Sequence, residues 1–148
     1  MALEMDAAPE LISALADERP GRALDLACGN GRHALWLAHR GWSVVAVDQV
    51  PADIPEVTFV QADIEKHEFC IARGEWDLII CWLYWQPDLL ETIAKGVRLG
   101  GIVALAGKTS GRFATSLANY RAAFPRWREL AAGESGGRAW FISRAPLQ

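Results

Sequence analysis

Three carboxylates stand near the ends of three successive apolar runs: Asp25 in Ala23–Cys28, Asp48 after Ser43–Val47, and Asp63 after Val57–Gln61. The first run breaks at Gly29-Asn30-Gly31, and Arg32–Arg40 then reads as a helical stretch ended by Gly41. A strand, a glycine turn and a helix start together aim backbone N–H groups and a positive helix end at a ligand. Glycine suits such a turn because a side chain would block close approach or forbid the backbone angles. A carboxylate accepts two hydroxyl hydrogen bonds at once, so Asp48 at a strand end suits the paired hydroxyls of a ribose. The alternative for Asp48 is to cap the turn before Gln49-Val50-Pro51; for Asp63 it is an Asx turn opening the next loop. Gly29-x-Gly31-x-x-Ala34 also matches the dinucleotide fingerprint, so the glycines alone do not choose a cofactor.

The elements that must position these residues follow from the hydrophobic pattern. Pro9 opens a first helix, over about 9–19, with Leu11, Ile12 and Leu15 on one face and Pro20-Gly21 as its stop. Ala23–Cys28 is the first strand. The next helix has Asn30 as N-cap, Leu35, Trp36 and Ala38 toward the sheet, and Gly41 at the left-handed C′ position. Ser43–Val47 and Val57–Gln61 are strands, joined by a short link, 49–56, with Pro51 and Pro55. A parallel crossover usually takes a dozen or more residues. The short link therefore predicts a less covered sheet face, and a second subunit, in a homodimer, as its cover. Residues 65–75 form an irregular loop anchored by Phe69 and Ile71. Trp76–Trp82 is a strand and Pro87–Val97 a helix with Leu89, Leu90 and Ile93 inward. Gly100-Gly101 turns into a strand at Ile102–Ala106. Arg112–Phe124 reads as a helix with Phe113, Leu117 and Phe124 on one stripe, and Trp127–Ala131 pairs with Arg138–Ser143 as a hairpin. Alternating strands and helices imply an α/β fold, a doubly wound, mostly parallel sheet with a C-terminal antiparallel hairpin. Ligands in such sheets bind outside the carboxyl ends of the strands, where Asp25, Asp48, Asp63 and Cys81 converge.

Asp25-Leu-Ala-Cys-Gly29-Asn30-Gly31-Arg32 resembles the first motif of the class I S-adenosylmethionine (SAM) dependent methyltransferases, and Gly41-Trp-Ser-Val-Val-Ala-Val-Asp48 the second. The resemblance implies a Rossmann-like fold over one domain, 1–148. It implies a SAM site lined by Asp25, Ala27, Cys28, Gly29, Asn30, Gly31, Asp48, Gln49, Asp63, Ile64 and Cys81. In that family Asp25 holds the amino-acid end of SAM, directly or through water, and Asp63 with the Ile64 N–H takes the adenine. The family often has glycine where this chain has Ala27. An acid beside the glycine turn also disfavours the anionic pyrophosphate of NAD, whereas SAM carries no phosphate. The resemblance further implies that Cys81-Trp82-Leu83-Tyr84-Trp85-Gln86-Pro87 lines the methyl-donor and substrate pocket. The chain lacks the Asn-Pro-Pro-Tyr pattern of nucleic-acid and protein amino-group methyltransferases there. Trp82, Tyr84 and Trp85, with His33, instead suit an apolar or aromatic small molecule, as in the small tellurite-resistance and thiopurine-like enzymes. For Trp82 the alternative is plain core packing.

SAM is already activated by its cationic sulfur, so positioning can supply much of the catalysis. No catalytic base is assigned, and a soft nucleophile such as a thiolate needs none. Two other readings stay open: a SAM-binding protein or subunit without catalysis, and an NAD-binding module. His39 reads as a helix-end residue, His67 as undecided on its loop, and Lys108 as a surface lysine that could face the crevice.

Composition excludes other classes. With 148 residues, 51% apolar and 22% charged, the chain is long enough for one buried core. A net charge of −3 gives no reason to expect a nucleic-acid partner. Arg121, Arg126 and Arg128 form either a solvated helix end or a local basic patch. No apolar run approaches the ~20 residues that span a bilayer, and the acidic start lacks the pattern of a signal peptide. Three cysteines without C-x-x-C spacing suggest neither disulfides nor a metal site. The cytoplasm is the expected compartment.

Overall fold

The central strands are apolar on both faces, as a sheet covered from both sides demands. In the computed structural model, which describes residues 7–148, they form one seven-stranded sheet in the order β3-β2-β1-β4-β5-β7-β6. Positions 1–6, the start of the acidic N-terminal segment, lie outside the described residues. The chain runs α1 (Pro9–Leu15), β1 (Arg22–Leu26), α2 (Arg32–His39), β2 (Ser43–Asp48), β3 (Thr58–Gln61) and β4 (Trp76–Trp82). A 3-10 turn, Pro87–Leu89, leads into α3 (Leu90–Gly96), then β5 (Val97–Lys108), α4 (Leu117–Ala123), β6 (Arg128–Ser135) and β7 (Arg138–Arg144). Strands β1 to β5 pair in parallel; β7 pairs antiparallel with both β5 and β6. The expected sheet with its terminal hairpin is therefore the observed one.

Alternation along each strand divides the core in two. Ala23, Val44, Ala46, Leu78, Ile80 and Ile102 pack under α1 and α2. Leu24, Leu26, Val47, Ile79, Val103 and Leu105 pack under α3 and α4. Leu11 and Leu15 of α1 are fully buried, each stabilising the fold by about 1.5–3 kcal/mol.

Several boundaries differ from the pattern. Helix α1 stops at Leu15 rather than near 19; Leu11 and Leu15 are buried in the core and Ile12 packs against it. Asn30 is not the N-cap of α2: Gly31 holds that position with φ +88°, and the Asn30 Oδ1 accepts the Arg32 N–H at 3.2 Å in an Asx turn. Strand β5 starts at Val97, but its ladder with β4 shifts register between Val97 and Ile102, where Gly100 takes φ +76°, and pairs regularly only from Ile102. A Cβ at Gly101 would stand 2.6 Å from the Val97 side chain and 3.0 Å from the Asp77 carbonyl, so the glycine marks close approach. Helix α4 begins at Leu117, where the Ser116 hydroxyl accepts the Asn119 N–H, and Phe113 lies outside it, 63% exposed.

The link between β2 and β3 contains no helix. Its Ile54 is buried beside α2, and Ala52 and Val57 pack on the same core, so the link itself supplies cover over this end of the sheet. Among the described residues, no helix is long and apolar enough to cross a membrane.

Candidate functional site

Register places the carboxyl ends of β1, β2 and β4 side by side, since Leu26 pairs with Val47 on one flank and Cys81 on the other. The chain leaves β1 through a left-handed backbone: Ala27 has φ +54°, Gly29 φ +59° and Gly31 φ +88°. The Cys28 N–H donates to the Val47 carbonyl and the Gly31 N–H to the Cys28 carbonyl, which closes the turn. The two glycines serve different needs. A Cβ on Gly31 would lie 2.4 Å from Ile54 Cδ1, so the β2–β3 link packs directly on it. A Cβ on Gly29 would meet no atom within 4 Å: this side of the turn faces open space. Ala27 holds a backbone conformation that costs a residue with a Cβ about 1–2 kcal/mol.

Asp48 fastens the second strand to the turn. Its Oδ2 accepts the Gly29 N–H at 2.9 Å and its Oδ1 the Val50 N–H at 2.9 Å. Asp48 thus caps its own turn, the alternative role expected of it, and each oxygen keeps a second acceptor site. The next strand is tied on by the Ala62 N–H to the Asp48 carbonyl, 3.0 Å, and by the Gln61 amide to the Gln49 carbonyl, 3.2 Å. Asp63 follows. Its carboxylate accepts the Lys66 N–H at 3.4 Å, three residues on rather than the two of the expected Asx turn, and its own N–H donates to Glu68 Oε1 at 2.7 Å. Glu68 carried no signal in the sequence, five residues away on a polar loop. Ile64 is buried behind this turn.

Asp25 lies beneath the glycine turn. It is 2% exposed, accepts a hydrogen bond from the Ala34 backbone in α2, and has an Oδ2 with no partner. Burial pushes its carboxyl up to about 7, against the pull of that hydrogen bond and of the Arg32 charge. Cys28 and Cys81 are buried thiols pushed up to about 12, first by burial and then by the nearby Asp25 charge, so neither is a nucleophile at neutral pH.

His33 does not face the crevice. Its Nε2 accepts the Ala8 N–H at 3.1 Å, its ring stands edge-on to Trp82 with centroids 5.6 Å apart, and burial lowers it to about 3. It is a neutral tie between α1 and α2, and its expected place in a substrate pocket is corrected. Trp82 shares that side of the sheet and is 7% exposed, so it is core. Tyr84 and Trp85 turn to the other face. The Tyr84 hydroxyl donates to Gln86 Oε1 at 2.6 Å, and Trp85 meets Tyr120 edge-on at 5.5 Å. Cys81, Tyr84, Trp85, Leu105 and Tyr120 border a narrow cleft of about 10 Å³, room for about one water. Tyr120 is the member that sequence reasoning missed, although it falls on the Phe113, Leu117, Phe124 stripe. Elsewhere His67 sits 3.1 Å from Asp88, His39 lies 3.7 Å from Glu56, and Lys108 ends β5 exposed. Among the described residues no group of His, Cys, Asp and Glu is arranged to hold a metal ion.

A family model described as a methyltransferase domain matches residues 2–142. The uncharacterized methyltransferase sll0829 of Synechocystis sp. is 35% identical over 101 residues, 58% of this chain and 47% of its own length. The trans-aconitate 2-methyltransferase of Deinococcus radiodurans is 30% identical over 110 residues, 64% of this chain and 41% of its own. The chain thus spans about half the length of the curated relatives it matches, or less. TehB from Haemophilus influenzae shares the fold with a TM-score of 0.79 at 17% identity, over 93% of this chain and 62% of its own. A 1,6-didemethyltoxoflavin-N1-methyltransferase from Burkholderia thailandensis, solved with S-adenosylhomocysteine, does so with a TM-score of 0.70 at 20% identity, over 96% of this chain and 80% of its own.

Proposed function

Because the chain belongs to the methyltransferase-domain family, we propose that it binds SAM at the carboxyl edge of β1 to β3 and directs its methyl group to a small molecule. The observation that carries this reading is the hydrogen bond from the Gly29 N–H to the Asp48 carboxylate, which locks the glycine turn to the second strand's acid. Two features support the fit. The Gly29 side of the turn is open to a ligand, and the buried Asp25 Oδ2 lacks a donor that the amino-acid end of SAM would supply, directly or through water. Asp48 and Gln49 would take the ribose, and Asp63 with the Ile64 N–H the adenine. Ala27, Cys28, Gly29, Asn30 and Gly31 would present backbone, and Cys81 would close the floor.

When bound, SAM supplies an electrophilic methyl group on a cationic sulfur. The protein's share is to orient and to exclude water. Its buried thiols stay protonated and His33 stays neutral and occupied, so these groups leave the acceptor to bring its own nucleophile. Tyr84 and Trp85 beyond β4 form the aromatic side against which a small acceptor would lie. The partner in function is that acceptor, and the dependence of solution mass on concentration tests for a homodimer. The cytoplasm is the compartment proposed.

The test is turnover: SAM is incubated with a panel of thiol, amine and carboxylate acceptors, and S-adenosylhomocysteine is quantified. Acceptor-dependent formation supports the enzyme. SAM binding without turnover favours the second reading, a binding protein or subunit, for which the narrow cleft among Cys81, Trp85 and Tyr120 speaks.

A further inference from the structure

At the end of the sheet away from the crevice, four arginines line one pocket of about 380 Å³: Arg98, Arg126, Arg128 and Arg144. That volume lies within the roughly 300–1,000 Å³ of small-molecule sites. From Gly100, on the pocket wall, to Ala106, beside the crevice, β5 covers roughly 20 Å at 3.3 Å per residue.

The charges here are not balanced. Arg98 pairs with Asp77, and Arg144 with Glu18. Arg126 and Arg128 pair with no acidic side chain among the described residues, unlike neighbouring Arg121, which Glu129 holds at 2.8 and 2.9 Å. Arg128 moreover stands directly across from Arg144 in the β6–β7 ladder. Like charges directly opposite are destabilising in a sheet, and the Arg144 Nε is buried without a partner. Two carboxylates against four guanidiniums leave the pocket short of about two negative charges. Arginine forks match the oxygens of phosphate in paired hydrogen bonds. The lining also includes Ala145, Pro146 and the 79% exposed Leu147, which are apolar. We propose that this pocket binds a dianionic phosphate group, separately from the crevice. The apolar lining fits the body of a small organic phosphate, and the oxyanion alone satisfies the arginines.

Orthophosphate and phenyl phosphate are titrated into the whole chain at low ionic strength, with sodium chloride at matched ionic strength as the blank. Binding is expected with both, tighter for phenyl phosphate where the natural source is organic and equal where it is the free oxyanion. Arg128→Gln or Arg126→Gln should weaken it at least tenfold, whereas Arg73→Gln, an exposed arginine off the pocket wall, should not. Saturating S-adenosylhomocysteine should not compete. Thermal unfolding gives a second readout, since a ligand that binds the native state raises the melting temperature. Without phosphate Arg128→Gln should melt at or above the parent, because it removes one of two opposed charges. With phosphate the order should reverse. Heat or melting shifts no larger than the chloride blank, or shifts unchanged in Arg128→Gln, would overturn the assignment.

Discussion

The carboxyl edge of the sheet is built in two ways. Over β1 to β3 it is backbone and carboxylate: the left-handed turn of Ala27 to Gly31, Asp48 holding the Gly29 and Val50 amides, and Asp63 closing its own turn. Beyond β4 and β5 it is aromatic: Trp85 against Tyr120, and Tyr120 stacked on Phe141 at 6.2 Å. The first half is prepared, polar and open at Gly29. The second is aromatic and leaves only a narrow cleft of about 10 Å³. On the proposed reading a nucleoside lies against the first half and an acceptor against the aromatic second. That difference explains why the cofactor side of such a protein reads more easily than the substrate side.

Five substitutions break or sharpen this contrast. The largest effect belongs to Tyr120→Ala in the aromatic half, which removes a fully buried ring and should cost about 3–5 kcal/mol in thermal or denaturant unfolding. Tyr120→Phe should be nearly neutral, because the lost hydroxyl has no partner. If the halves are independent, nucleoside affinity of either variant stays within a few-fold of the parent.

Next comes the buried acid of the prepared half. The Asp25 carboxyl lies near 7 in the fold against an ordinary 3.8. Between those values the native state holds the extra proton. Stability from this group is therefore full below about pH 4 and is lost as pH rises through about 7, by at most about 4 kcal/mol. Asp25→Asn should flatten that slope in unfolding measured from pH 4 to 8. A cationic ligand end near Asp25 requires the charged form, so SAM affinity should rise across the same upper limb in the parent and not in the variant.

Gly29→Ala is smaller in stability, about 1–2 kcal/mol of left-handed strain, since its methyl meets no atom of the protein. Its loss of nucleoside affinity should exceed that strain, because the methyl stands in the open crevice. Ala27→Gly is the smallest and opposite in sign. Relief of strain outweighs the added flexibility of the unfolded chain by about 0.5–1 kcal/mol, read as a raised melting temperature.

The legibility of the chain follows the same division. The strands and the terminal hairpin could be read because both depend on local patterns, alternation and the glycines of the Gly133 to Gly137 turn, whereas the strand order depends on contacts between segments. The Asp48 site could be read because a turn and a strand end are short-range features. His33 misled: its position in the first turn of α2 suggests the crevice, but its partner is the Ala8 amide 25 residues upstream. Ile54 packing on Gly31 is likewise a contact between segments that no local pattern announces. Strand β5 carries an extra N-terminal bridge, Val97 to Trp76, before an irregular step at Gly100-Gly101; its regular ladder begins at Ile102, where the sequence places the strand. Helix α4 was overextended since Phe113 matches the helical stripe in spacing yet finds no core to enter.

The central claim, that the Gly29–Asp48 edge is a SAM site, is tested most directly by calorimetry with S-adenosylhomocysteine and NADH on the parent and on Asp48→Ala. The account predicts that the parent binds the sulfur nucleoside and not NADH, and that the substitution weakens binding by about 2–3 kcal/mol, or roughly 30- to 150-fold. Folded protein that binds neither compound, prefers NADH, or holds S-adenosylhomocysteine equally well without the Asp48 carboxylate would contradict it.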